Sequence, residues 1–199
     1  MKKRQGLTFV KKEKKIKPHH FTGLFVLLFW MAAVSFIAFV LVLVFGTKTA
    51  VIGDGMNPVL YNSGEVLINK SSFVLFKPRV GQIIAFYPNG NKNSYLYLKR
   101  VVAVGGDEVL IENGHLYVNG SLFEDEDLFE PMEYAGLAEE PIVLAKDEYF
   151  VLGDNRNDSF DSRFYEVGNI KRKEIIGRAW LRIYPFKSFG FVKHGDKNS

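Results

Sequence analysis

Lys99 is the residue best placed by its type and surroundings to act as a base. Lys99 and Arg100 lie within the otherwise apolar run YLYLKRVVAV. A lysine that faces inward from such a strand loses its hydration, which lowers its pKa and favours the neutral amine. Strand alternation alone leaves open whether Lys99 faces inward or points to solvent. The sequence therefore offers Lys99 as a candidate general base.

The segment GDNRNDSFDSR, residues 153–163, concentrates polar side chains directly after the apolar run EYFVL. Asp161 and Arg163 are spaced to form an ion pair across a turn, and Ser159 is placed to hydrogen-bond a nearby amine. A calcium loop is the alternative, because carboxylate and amide oxygens are frequent here. The segment lacks the central glycine and terminal glutamate of an EF-hand loop, which disfavours calcium.

A third segment, VIGDGMNPVLYNSGEVLINK, reads as a tight turn between two strands. The turn centres on Gly55, so its apex presents no nucleophilic side chain. The chain has no cysteine, which excludes a thiol nucleophile and a zinc–thiolate site. Its four histidines are scattered without metal-ligand spacing, so we predict no metal site.

Short apolar runs separated by Gly, Asn and Pro follow residue 48 and predict a mainly antiparallel β domain over residues 48–199. The dipeptides Asn113-Gly114 and Asn119-Gly120 are typical of tight hairpin turns around the short strand HLYV. Residues 121–141 are acidic and interrupt this rhythm. They form either a partner-recognition loop or a solvated excursion between strands, and the second interpretation is favoured. The runs that we interpret as strands are EVLINK, VGQIIAFY, YLYLKRVVAV, DEVLIEN, HLYVNGSLF, EYFVLG and IGRAWLRIYPF.

Residues 21–47 form an uncharged apolar stretch that predicts a single transmembrane helix. The stretch exceeds the roughly 20 residues that a helix needs to cross a bilayer, and it is longer than the apolar part of a secretory signal peptide. Eight basic residues precede it within residues 1–20, and only Lys48 follows closely. Positive charge near a membrane helix favours the cytoplasmic side. We therefore predict a basic cytoplasmic tail, one membrane span and an extracytoplasmic domain, with no nucleic-acid partner.

The order of these segments resembles the bacterial type I signal peptidase family, especially its single-anchor Gram-positive members. GDGMNPVL is similar to the family's G-D-S-M-x-P-T-L box, and YLKRVVAVGGD to its Y-x-K-R-V-x-G-x-P-G-D box. GDNRNDSFDSR matches G-D-N-R-x-x-S-x-D-S-R at every fixed position. The resemblance covers the whole chain, from the basic tail to the closing strand.

The resemblance implies a membrane-anchored serine endopeptidase that removes signal peptides from secretory preproteins and needs no cofactor. A serine attacks the peptide carbonyl, and a neutral lysine replaces histidine as the general base. Lys99 matches that lysine, and Ser159 matches the serine that orients it. Tyr97 and Leu98 would form the edge that a signal peptide joins as an added strand. The residues that would support the site structurally are Met56, Pro58, Gly153, Asp154, Asp161 and Arg163.

The sequence departs from the family at the decisive position, because the nucleophilic serine aligns with Gly55. The resemblance therefore implies two hypotheses. In the first, the chain is a signal peptidase whose present copy is inactive or severely impaired. In the second, it is a non-catalytic signal-peptidase-like protein that binds secretory or pilin-like precursors and assists their assembly. Retention of Lys99 favours the first hypothesis.

Overall fold

The N-terminal apolar run forms one long helix. In the computed structural model, which describes residues 19–123 and 130–192, helix α1 spans His19–Phe45. Its Gly23–Leu41 stretch is long and apolar enough to cross a membrane. The predicted end at residue 47 is two residues too late, because Gly46 and Thr47 already pair in the first strand. Glycine and β-branched threonine are weak helix formers. Residues 1–18 of the predicted tail lie outside the described residues.

Within residues 46–123 and 130–192, the chain after α1 forms twelve strands, one four-residue helix and several 3₁₀ turns. This composition confirms the predicted β class. In chain order the elements are β1 Gly46–Ala50, β2 Glu65–Asn69, α2 Ser72–Leu75, β3 Ile83–Phe86, β4 Tyr97–Val104, β5 Glu108–Glu112, β6 His115–Val118, β7 Ser121–Leu122, β8 Ile142–Val143, β9 Glu148–Leu152, β10 Ile170–Lys171, β11 Ile175–Tyr184 and β12 Gly190–Phe191.

These strands form two antiparallel sheets. The larger sheet has the order β1-β2-β11-β3-β4-β9-β10, and β12 pairs with β11. The smaller sheet has the order β7-β6-β5-β8. Strands β1, β8, β10 and β12 were not among the predicted runs, because they are short and take their order from pairing with longer strands. The smaller sheet contains the two predicted hairpin turns.

Both Asn-Gly dipeptides adopt the backbone conformation that their sequence predicts. Asn113 and Gly114 have φ values of 52° and 81°, and Asn119 and Gly120 have values of 54° and 73°. Two successive residues with positive φ define the type I′ turn, which matches the twist of the strands that it joins. The prediction of two tight turns around β6 is therefore confirmed.

Three clusters of buried apolar side chains hold the β domain together, and β4 contributes to each of them. Leu98 packs in the first cluster with Met56, Val102 packs in the second, and Val101 packs in the third. Burial of each such side chain stabilises the fold by about 1.5–3 kcal/mol. Strand β4 is therefore held firmly from both faces, and any polar side chain that it carries has a fixed position.

Candidate active site

Lys99 lies on β4 and faces inward, which strand alternation had left open. Its neighbours on the same face of the strand are Tyr97 and Val101. The residue is 8% exposed, and its Nζ donates a hydrogen bond of 2.7 Å to Ser159 Oγ. Lys99 and Ser159 are 60 residues apart in the chain. The structure therefore brings together the two side chains that the sequence singled out separately.

Burial lowers the pKa of Lys99 below its ordinary value, because the desolvated ammonium loses its hydration. This effect outweighs the charges that surround the amine. Asp161, Asp154 and Asp158 raise the pKa, and Arg163 lowers it. The amine is thereby biased toward the neutral form that a general base requires.

We expect the burial of Lys99 to make stability depend on pH. Between the lowered pKa of the folded state and about 10.4 in the unfolded chain, the unfolded state binds more protons, so the free energy of unfolding rises with pH. Lys99→Met removes this titration. Urea unfolding of the full chain in detergent micelles measures the effect. As the pH falls from about 10.4, the free energy of unfolding of Lys99→Met should increase relative to that of the parent.

The exposed Lys146 provides the matched control. Lys146→Met removes an exposed lysine instead and shows how much of the pH dependence comes from the loss of any lysine. If the two variants show the same pH dependence, Lys99 does not carry a lowered pKa.

Gly55 faces the amine of Lys99 across the turn between β1 and β2. A Cβ atom placed on Gly55 would lie 2.8 Å from Lys99 Nζ and 3.0 Å from the carbonyl oxygen of Asp158. The Gly55 carbonyl accepts a hydrogen bond of 3.2 Å from the Asn155 N–H. The Gly55 N–H donates to no atom of the described residues. A side chain at residue 55 would thus project directly at the Lys99–Ser159 pair, beside a free backbone donor.

Gly153 allows the segment 153–163 to approach this turn closely. A Cβ atom on Gly153 would lie 2.2 Å from Ser159 Oγ and 2.3 Å from the Gly55 carbonyl oxygen. Real Cβ atoms essentially never come within 3.0 Å of such neighbours. Any other residue at 153 would therefore push Ser159 and Gly55 away from it, which explains why the sequence motif has glycine here.

Asp161 and Arg163 form the ion pair that their spacing predicts. Arg163 Nε and Nη2 donate to the two carboxylate oxygens of Asp161 at 2.8 and 3.0 Å. Both side chains are buried, and Asp161 Oδ2 also accepts the Gly153 N–H at 3.1 Å. Arg163 Nη2 donates further to the carbonyl oxygens of Arg156 and Ser159. The pair therefore fixes the loop that carries Ser159.

A second buried ion pair joins Arg100 to Asp154, and sequence reasoning did not find it. Arg100 Nε and Nη2 donate to Asp154 Oδ1 and Oδ2 at 2.6 and 2.7 Å, and Nη1 donates to the Gly81 carbonyl. The sequence did contain an indication of this pair, because Arg100 and Asp154 carry opposite charges and lie in the two segments that also contain Lys99 and Ser159. Adjacent residues of β4 thus contact the segment 153–163 at two points, Lys99 through Ser159 and Arg100 through Asp154.

Residues 131–137, which we name the strap, also support the site. They belong to the acidic stretch that we predicted to be a solvated excursion between strands, and four of the seven residues are exposed, but the segment is also hydrogen-bonded to the site. The Asn157 side chain accepts the Glu133 N–H and donates to the Pro131 carbonyl. Arg163 Nη1 donates to the Tyr134 carbonyl, and the Leu137 N–H donates to the Arg163 carbonyl. Residues 124–129 lie outside the described residues.

We expect Asn157→Ala to detach the strap from the site. The change removes two hydrogen bonds of 3.0 and 3.1 Å, so the free energy of unfolding should fall by about 1–2 kcal/mol. Urea unfolding measures this loss. Asn93→Ala is the control, because the Asn93 side chain makes no hydrogen bond with the described residues. Equal effects of the two substitutions would mean that the strap contributes nothing.

A cavity of about 460 Å³ opens in front of Gly55 and Lys99. One wall is formed by residues 51–56 and the other by residues 95–99, with residues 157–160 and Phe164 completing the lining. Met56, Tyr97 and Leu98 line the cavity, whereas Pro58 follows a cis peptide bond and is not among the lining residues. Tyr97 and Leu98 pair with β3 on one side, and no described strand pairs with their other edge, since the contact with β9 begins at Arg100.

Comparisons with known proteins give sequence matches over most of the chain. The family model for signal peptidase, peptidase S26, matches residues 24–184. The chain is 33% identical to signal peptidase I P of Bacillus subtilis subsp. natto over 82% of its own length and 92% of the relative's. It is 30% identical to signal peptidase IB of Staphylococcus aureus (strain Mu50) over 86% of its own length and 98% of the relative's.

The match to "Probable signal peptidase I-2" of Synechocystis is 34% identical and covers 70% of this chain, but only 63% of the relative. A crystal structure of a signal peptidase I from Enterococcus faecalis V583 is 27% identical, with a TM-score of 0.38. The match covers 52% of this chain and 97% of the crystallised chain.

Proposed function

The chain belongs to the signal peptidase family, peptidase S26, and from that premise we propose that it is a membrane-anchored protein that binds the signal-peptide region of secretory preproteins but cleaves it at most very slowly. The observation that carries this proposal is the contact between Lys99 Nζ and Ser159 Oγ at 2.7 Å opposite a glycine. The base and its partner are in place, and the position that would hold the attacking hydroxyl has no side chain.

The proposed roles follow from the chemistry of peptide cleavage. In an active member, a serine hydroxyl attacks the scissile carbonyl while the neutral lysine takes its proton, and a backbone N–H binds the developing oxyanion. Here Lys99 would hold the proton and the free Gly55 N–H would bind the oxyanion. A water molecule would have to replace the hydroxyl as nucleophile. Because water is not held in place covalently, we propose that only trace hydrolysis remains.

We propose that the preprotein binds as an added strand along the free edge of β4 at Tyr97 and Leu98. An extended peptide there could satisfy backbone groups that no described strand pairs with, while its side chains enter the cavity between the two walls. Leu98 and Met56 are apolar and line the cavity, so we propose that small apolar side chains of the peptide, as the family resemblance implies, pack against them. This geometry supports precursors with an A-x-A pattern at the end of the signal peptide.

The proposed topology places the basic tail of residues 1–20 in the cytoplasm, the apolar stretch from residue 21 to the end of α1 at Phe45 in the bilayer, and the β domain from Gly46 onward outside. It is supported by the excess of Lys and Arg before α1, since positive charge near a membrane helix is retained on the cytoplasmic side. The lipid bilayer is thus the second partner that we assign.

A second candidate function is that of a non-catalytic assembly factor for secreted or pilin-like precursors. Gly55 is the observation that favours it, because such a role needs the groove but not the hydroxyl. Both candidates require peptide binding, and they differ in whether a hydroxyl at residue 55 suffices to create a peptidase.

Binding is tested with a fluorescent peptide that carries an A-x-A sequence, by anisotropy on the full chain in detergent micelles. Ile52 is 60% exposed and lines the cavity, so Ile52→Glu should weaken binding at least about tenfold by placing a charge in an apolar groove. Val143, which is 67% exposed on β8 outside the cavity, is the matched control, and Val143→Glu should bind normally. Equal affinities of both variants and the parent would contradict the proposed groove.

A further inference from the structure

The amine of Lys99 has an unusual combination of contacts for a lysine. It lines the cavity, and it donates to Ser159 Oγ, which leaves the lone pair of the neutral amine free to react. Gly55 supplies no atom in the space directly in front of it, where a Cβ atom would lie 2.8 Å from Nζ. In a chain with a side chain at residue 55, that group would stand between the amine and a ligand in the cavity.

We propose that Lys99 is a covalent trapping site for aldehydes, because the missing side chain at residue 55 opens its amine to the cavity. The nitrogen would add to the carbonyl carbon to form a carbinolamine, which loses water to give an imine. The water that leaves takes both of its hydrogens from the neutral amine and its oxygen from the aldehyde. Cyanoborohydride then delivers hydride to the imine carbon while nitrogen takes a proton from water, and a stable secondary amine results.

Selectivity for Lys99 follows from its surroundings. Among the described lysines, Lys99 is the one buried residue, and the other eight are exposed. An exposed lysine near neutral pH is almost entirely protonated and therefore a poor nucleophile. Desolvation favours the neutral amine, which is how lysines in apolar pockets become reactive toward carbonyl compounds. Apolar side chains of Ile52, Leu98 and Phe160 line the approach to the site and suit an aliphatic aldehyde.

Two probes separate this inference from the proposed function. Propanal needs only access to the cavity. A peptide that ends in alaninal also needs the strand-binding edge of β4, so its labelling rests on the proposed function. The full chain in detergent micelles is treated at pH 7 with a limiting amount of either probe and with cyanoborohydride, and peptide mapping by mass spectrometry measures the fraction of each lysine that is alkylated.

We expect propanal to label Lys99 at least about tenfold faster than the median exposed lysine, because desolvation favours its neutral form. Gly55→Ala and Gly55→Ser should each reduce the labelling of Lys99 at least about threefold, since either side chain would crowd the amine. Two independent variants are used because either could disturb the fold, which circular dichroism monitors. Lys99→Arg should abolish the label at this position.

The outcomes distinguish the two proposals. Labelling by propanal without labelling by the alaninal peptide would leave the trapping site intact and contradict the peptide groove. Normal peptide binding by anisotropy with no preferential labelling of Lys99 by either probe would overturn the trapping site and leave the groove intact. Equal labelling of the parent and of both folded Gly55 variants would overturn the role assigned to the missing side chain.

Discussion

Gly55→Ser should raise the rate at which the full chain cleaves a preprotein with an A-x-A site by at least about 10³-fold over the parent. The expected gain is large because, under the proposed roles, the substitution supplies the nucleophile, whereas the proposed base Lys99 and the free Gly55 N–H are already in place. Removing the serine from an established serine protease costs about 10⁶-fold in kcat, which sets the upper end of the expected gain. Gel assays of a purified preprotein in detergent micelles measure the rate.

The new side chain can be accommodated with small movements. A Cβ atom at residue 55 would lie 2.8 Å from Lys99 Nζ, which is the far end of a flexible side chain and can retreat. The distance of 3.0 Å to the Asp158 carbonyl oxygen is tight and involves backbone, so this loop must yield by a few tenths of an ångström. The retreat of Nζ would bring it to hydrogen-bond distance of the new hydroxyl.

Two controls determine what a gain would mean. Gly55→Ala adds the Cβ atom without the hydroxyl and should remain as inactive as the parent. Gly55→Ser combined with Lys99→Met should lose the gained activity, because the hydroxyl then has no base. A folded Gly55→Ser variant without any gain would contradict the proposal that the site lacks only its nucleophile, and it would favour the non-catalytic assembly role.

Asp161→Ala should destabilise the β domain by about 3–5 kcal/mol, which is the usual cost of removing one partner from a buried ion pair. Asp161 is fully buried, and it accepts hydrogen bonds from the Arg163 side chain and from the Gly153 N–H. Its removal leaves the Arg163 guanidinium, which is also buried, without its counter-charge. Urea unfolding of the full chain in detergent micelles, followed by fluorescence of the β domain, measures the loss.

The pair between Lys48 and Glu65 is the internal control. Its two atoms are 2.6 Å apart, but the side chains are 57% and 34% exposed. Solvent screens such a pair, so Glu65→Ala should cost no more than about 1 kcal/mol. If Asp161→Ala costs as little as Glu65→Ala, the buried pair does not hold the loop of Ser159 in place.

Features that depend on neighbouring residues could be predicted from the sequence. The long apolar helix, the longer strands and the two Asn-Gly turns each follow from local composition or from backbone preferences at two positions. The ion pair of Asp161 with Arg163 was also accessible, because the residues are two positions apart in a turn. These predictions needed no knowledge of how distant segments meet.

Features that depend on packing between distant segments could not be predicted from spacing alone. The inward orientation of Lys99 is set by the register of β4 against β3 and β9, and by Ser159, which lies 60 residues away. The strap reads as a solvated acidic loop, yet hydrogen bonds to Asn157 and Arg163 fix it against the site. The apolar pattern places Gly46 and Thr47 in the helix, whereas in the structure they belong to β1. Pairing with β2 decides where the helix ends.

The double attachment of β4 to the segment 153–163 has an evolutionary consequence. Lys99 binds Ser159 and Arg100 binds Asp154, so the shape of the site is fixed by contacts that do not involve a side chain at residue 55. Two of the four glycine codons, GGT and GGC, become serine codons by a single nucleotide substitution. A lineage that carries this protein could therefore gain or lose a hydroxyl at residue 55 with one substitution in either direction, because the framework around that position persists without it.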